Sequence, residues 1–121
     1  MQDYYELLKI FNPIKNEKYI EITVPVDMGI NDSLLILRVV PLKQGYVVCD
    51  NGKNFSELNN SPKYYFDLFM EKDTNDHFSI EFKNNIILKK YPENFNVRMA
   101  ISEFVRYFIY LDDYLINNNI I

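Results

Sequence analysis

Between residues 18 and 24 the chain alternates: Ile20, Ile22 and Val24 point one way, Tyr19, Glu21 and Thr23 the other. This period of two predicts a half-buried β-strand. Pro25 is expected to end it, and Val26 to Asn31, with Gly29, to form a loop. Residues 33–41 are apolar on both faces. Leu34, Ile36 and Val40 share one side with Arg38, and Leu35, Leu37 and Val39 take the other. That pattern predicts a central strand covered on both sides. A turn at Gln44-Gly45 leads into a strand over 45–50, and so short a link makes an antiparallel hairpin. Asp50-Asn51-Gly52-Lys53 is the next turn, because Asn and Gly tolerate positive φ. Alternation resumes over 78–83, with Phe78, Ile80 and Phe82 inward. Asn84-Asn85 makes a two-residue turn, and a strand over 86–90 returns before Pro92.

Three segments have helical spacing. In 3–11, Tyr4, Leu7, Leu8 and Phe11 share a face, Asp3 caps the start, and Asn12-Pro13 stops the helix. Ser61-Pro62 opens a helix over 62–72 with Tyr65, Phe66 and Phe69 as its apolar stripe. The longest spans 96–117, where Val97, Ile101, Phe104, Phe108, Leu111 and Leu115 recur at spacings of 4, 3, 4, 3 and 4. Its apolar sector is broader than one sheet contact needs, so it is either central to the fold or also meets a second chain. The expected fold is α+β: a largely antiparallel sheet of about five strands (18–24, 33–41, 45–50, 78–83, 86–90) with three helices (3–11, 62–72, 96–117) in a single domain, 1–121.

Composition sharpens this picture. Apolar residues at 48% and charged residues at 25% are the proportions of a folded globular chain, not a disordered one. No apolar run approaches the ~20 residues that span a bilayer, and Met1-Gln2-Asp3 opens no basic leader, so a cytoplasmic protein without membrane contact is expected. Thirteen Lys and Arg against seventeen Asp and Glu give a net charge of −4, which argues against direct nucleic-acid binding. One cysteine, Cys49, allows no internal disulfide. With a single histidine, His77, it leaves too few thiolate and imidazole ligands for a zinc site. Cys49 lies in an apolar run and is expected to be buried and inert. Abundant Asn, Lys, Ile and Tyr match AT-rich coding.

The segments Val24-Pro25-Val26-Asp27, Asn31-Asp32-Ser33-Leu34-Leu35-Ile36 and Gly45-Tyr46-Val47-Val48-Cys49-Asp50-Asn51-Gly52-Lys53, followed by Leu58, carry a resemblance. Over residues 19–60 the chain resembles the prokaryotic and phage family called domain of unknown function 1828. Two positions depart from that family: Val24 stands where Thr is usual, and Asn54-Phe55 where a Thr often follows the glycine. The resemblance implies a related fold and a bacterial or phage setting, and brings no activity with it.

Three groups of polar residues invite chemistry. Asp27, Asp32 and Asp50 fall at strand ends or in loops, where neighbouring carboxylates can gather around a metal or act as an acid–base pair. With Gly52 they fit turn and cap roles better. Glu81-Phe82-Lys83 with Asp50 upstream matches the acid-and-lysine set of a metal-dependent nuclease, but Glu-x-Lys is also common on the polar side of any strand. The stretch containing Asp67, Glu71, Asp73, Asp76 and Glu81 holds a single Lys72 and could mimic a phosphate track. Tyr107, Tyr110 and Tyr114 on the last helix are interface-type residues. The expected function is therefore a non-enzymatic binding module without cofactor or metal. Its concrete form is a small phage or mobile-element inhibitor, of anti-CRISPR or anti-restriction type, that meets a basic nucleic-acid-handling bacterial protein. The alternatives are the nuclease on Asp50, Glu81 and Lys83, and a homo-oligomer built through the C-terminal helix.

Overall fold

The computed structural model describes residues 4–28, 33–50, 63–67 and 80–118. These form an α+β fold on one antiparallel sheet of six strands. In chain order the strands are β1 (Ile14–Lys15), β2 (Ile20–Met28), β3 (Ser33–Pro41), β4 (Tyr46–Cys49), β5 (Glu81–Lys83) and β6 (Ile86–Tyr91). They lie side by side as β1-β2-β3-β4-β6-β5, so the last hairpin joins the sheet through β6. The helices are α1 (Tyr4–Leu7), α2 (residues 63–67 of the described chain) and α3 (Val97–Asn117).

The sheet differs from expectation at Pro25. The strand does not stop there: β2 continues to Met28, and its register with β3 shifts between Val24 and Asp27. Proline has no N–H for a ladder and survives in a sheet only at an edge or a bulge. Both conditions hold, since β1 pairs only with Ile20 and Glu21 and no other described strand lies on that side of β2. A bulge with a proline also discourages further strands from adding there. Val26 and Asp27 thus belong to a strand rather than a loop.

The first helix also differs. Instead of one helix over 3–11, α1 ends at Leu7 and a 3-10 turn covers Lys9–Phe11. Leu8 is fully buried, and the tighter turn lets Phe11 pack on the same core before Asn12 takes a left-handed φ of 49° ahead of Pro13. Asn84 and Asn85 form the expected hairpin turn, both at positive φ (54° and 62°), as a type I′ turn requires. Gly45 is obligatory at its own turn: its φ is +90°, and a Cβ would lie 2.2 Å from the Tyr91 carbonyl oxygen.

α3 is the cover of the sheet. Asn96 caps it, its side-chain oxygen accepting from the N–H groups of Arg98 (2.8 Å) and Met99 (3.3 Å). Val97, Ala100, Ile101, Phe104, Tyr107, Phe108, Leu111 and Leu115 are buried from it. They meet Ile20, Ile22 and Val24 of β2, Leu35, Leu37 and Val39 of β3, and Tyr46 and Val48 of β4 in one core cluster. α1 joins through Tyr4, whose ring lies 4.9 Å from that of Tyr46, and α2 through Phe66, 5.2 Å from Phe82. All described helices therefore sit on one face. On the other, Leu34 is 42% exposed and Ile36, Arg38, Val40 and Val47 are half-buried, so β3 is not sealed on both sides by described elements.

Candidate functional site

The nuclease set does not assemble. Asp50 prolongs the β4–β6 ladder: its N–H donates to the Ile87 carbonyl (3.1 Å) and its carboxylate accepts from the Ile87 N–H (2.9 Å). It is 1% exposed and clasps the end of β4 to β6, while the turn expected over 51–53 lies outside the described residues. Glu81 and Lys83 are exposed on β5 opposite Leu88 and Ile86, while Phe82 between them pairs with Ile87 and turns toward the core. Strand alternation thus aims Glu81 and Lys83 away from the core side. Among the described residues, no three His, Cys, Asp or Glu side chains are placed to hold a metal ion.

The strand-end acids also stay apart. Asp27 pairs with Leu34, whereas Asp50 follows Cys49, the partner of Arg38. Their levels on β3 differ by three residues, roughly 10 Å along the strand, and they are two strands apart. Asp32 and Gly52 lie outside the described residues, as do His77, Glu71, Asp73 and Asp76. Of the acidic stretch, Asp67 and Glu81 line one open depression together with Lys63 and Lys83. Lys63 pairs with Asp67 across one turn of α2. Where it is described, this surface alternates in sign.

The three tyrosines of α3 separate by exposure. Tyr107 is fully buried against Phe104 and Phe108 and serves the core, not a partner. Tyr114 is half-buried and packs on the core edge, and Tyr110 is 53% exposed. Met99, Arg106, Tyr110 and Asp113 all point outward, spaced 7, 4 and 3 apart. That spacing makes one ridge on the side of α3 opposite the sheet. Met99 is 62% exposed. Met, Arg and Tyr are the types enriched at protein interfaces.

Beneath α3 lies a polar network that no spacing along the chain foretells. The Tyr46 hydroxyl donates to the Phe95 carbonyl (2.7 Å), and the Tyr91 hydroxyl to the Glu103 carboxylate (2.9 Å). Lys89 closes it with an ion pair to the same Glu103 oxygen and sits 5.1 Å from the centre of the Tyr91 ring. The Tyr46 and Tyr91 rings stack 5.5 Å apart. Burial pushes both phenols well above the ordinary value of 10.0. For Tyr46 the Tyr4 ring and Glu103 add to it; for Tyr91 the bond to Glu103 does. At neutral pH both phenols stay protonated and act as hydrogen-bond donors, so the network ties α3 to the sheet. Only cross-strand pairing brings Tyr46 opposite Tyr91, which periodicity within either strand could not reveal.

No protein family, no curated protein and no solved structure matches the chain. No helix among the described residues is long and apolar enough to cross a membrane.

Proposed function

We propose that the protein is a non-catalytic module that binds another protein through the outward ridge of α3. The observation that carries this reading is the row Met99, Arg106, Tyr110 and Asp113, exposed on a helix whose opposite side is wholly committed to the core. A rigid helix presents such side chains at little entropic cost. The net charge of −4 favours a basic partner and a salt-sensitive encounter. In its concrete form the module is a small phage or mobile-element inhibitor of a nucleic-acid-handling defence protein in the bacterial cytoplasm. That form draws on size, acidity and the resemblance over residues 19–60. The dispersal of Asp50, Glu81 and Lys83 favours it over the nuclease alternative.

The test is retention of partners from bacterial lysate on immobilised protein at low and high salt, with the Met99→Ala/Tyr110→Ala double variant alongside. Both residues are more than half exposed, so the variant keeps the fold. The expected result is a basic partner held at low salt, released at high salt and lost from the variant. Retention indifferent to the variant, or none at all, removes the reading. A solution mass twice the monomer's that the variant halves would assign the ridge to self-association instead.

A further inference from the structure

The end of the molecule away from β5 holds a cleft of about 190 Å³ between α1, the β1–β2 turn and the start of the β3–β4 turn. Tyr4, Tyr5, Tyr19 and Leu42 line it, with Lys15 and Lys18. Its turn is firmly built: Asn16 donates its N–H to the Tyr19 carbonyl (3.0 Å), and its side-chain oxygen accepts from the N–H groups of Lys18 (2.7 Å) and Tyr19 (2.9 Å). Pockets for cofactors and drug-sized ligands run to about 300–1,000 Å³. This one is smaller and has room for a single large side chain, the way a partner's anchor residue is received at an interface.

Charge identifies the visitor. The segments that build this end (4–20, 41–45 and 92–98) carry five Lys and Arg against three carboxylates, in a chain with thirteen against seventeen. Lys9, Arg38, Lys63 and Lys89 are each held in an ion pair, whereas among the described residues Lys15 and Lys18 are in none. The Lys15 ammonium stands 5.6 Å from the centre of the Tyr5 ring, at the cleft itself. Glu17 and Glu93 also line the cleft and repel an anion on their side, which leaves the lysines as the place for carboxylates.

We propose that this cleft is a second docking site, for an acidic segment of a partner protein. One aromatic or large aliphatic side chain enters among the tyrosines, and neighbouring carboxylates pair with Lys15 and Lys18. The site is separate from the α3 ridge and stands or falls independently of it.

The experiment is amide chemical-shift mapping on isotope-labelled protein with three synthetic peptides. The first has a phenylalanine flanked by two aspartates on each side, the second replaces the phenylalanine by alanine, and the third replaces the aspartates by lysines. The first peptide is expected to shift Asn16 to Tyr19, Leu42 and Glu93 and leave the outward residues of α3 unmoved. Binding is expected to weaken at least about tenfold for either other peptide and for Lys15→Glu/Lys18→Glu. Both lysines are exposed, so that variant keeps its dispersed spectrum. No shift at those amides, equal response to the lysine peptide, or the same amides moving with protein concentration alone would each overturn the proposal. The last would give the cleft to a second copy of the chain.

Discussion

Leu34 and Leu35 are neighbours of one residue type on one strand, yet Leu35 is fully buried and Leu34 is 42% exposed. The same split runs across the sheet. Ile22, Leu37 and Val48 are fully buried on the side that carries α3, while Ile36, Val40 and Val47 are half-buried on the other. Composition cannot separate the two faces, because both are rich in branched apolar side chains. What separates them is α3, which gives the first face an aromatic cover and gives the second nothing. Among the described residues, the helices that cover the sheet all lie on the first face.

The largest expected effect comes from breaking that cover. Phe104→Ala removes a fully buried ring at the centre of α3 and is expected to cost about 4 kcal/mol. Leu35→Ala, directly on the sheet, is expected to cost about 3 kcal/mol. Urea unfolding followed by circular dichroism measures both. A loss below about 1 kcal/mol for Phe104→Ala would show that α3 is not the main cover.

A smaller effect reaches the covered face through pH. Tyr46 and Tyr91 have raised pKa values in the folded protein, so the folded chain keeps protons that the unfolded chain releases above pH 10.0. Stability from these groups is fully present below that pH and falls as pH rises beyond it, by about 1.4 kcal/mol per pH unit per group. Tyr46→Phe is expected to lose about 1 kcal/mol at neutral pH, since the Phe95 carbonyl loses its donor, and to flatten the alkaline fall by one group. Melting temperatures from pH 8 to 11 for wild type and variant decide this. Parallel curves would mean that Tyr46 ionises freely in the folded state.

How far the sequence revealed all this follows from which forces are local. α3 was readable to within a residue because its apolar spacing persists over its whole length; Asn96, read as its first residue, is instead its cap. The Asn84-Asn85 turn was readable because asparagine tolerates the left-handed φ that a type I′ turn demands. Pro25 misled, because a proline that is fatal in a central strand is harmless at an open edge with a bulge, and edge position depends on sheet order. Of the tyrosines named for a partner, Tyr110 lies at the surface and Tyr107 does not. Three residues apart on one helix, they differ by about 60° in direction, which is enough to put one in the core and the other in water. The cleft at Lys15 and Lys18 was hidden altogether, because it joins α1, two turns and Glu93, which are distant in sequence.

The smallest expected effect tests the open face directly. Leu34→Ala deletes the same atoms as Leu35→Ala one residue away. At 42% exposure much of that side chain is already in water, so the transfer loss shrinks and little cavity is left behind. The expected cost is less than about 1 kcal/mol, against about 3 for its neighbour, and Ile36→Thr on the same face should fall between them. Chemical denaturation of the three variants in one buffer gives the ordering. Equal losses at Leu34 and Leu35 would make the outer face a second core, and β3 would then be the strand covered on both sides that its apolar residues on both faces first implied.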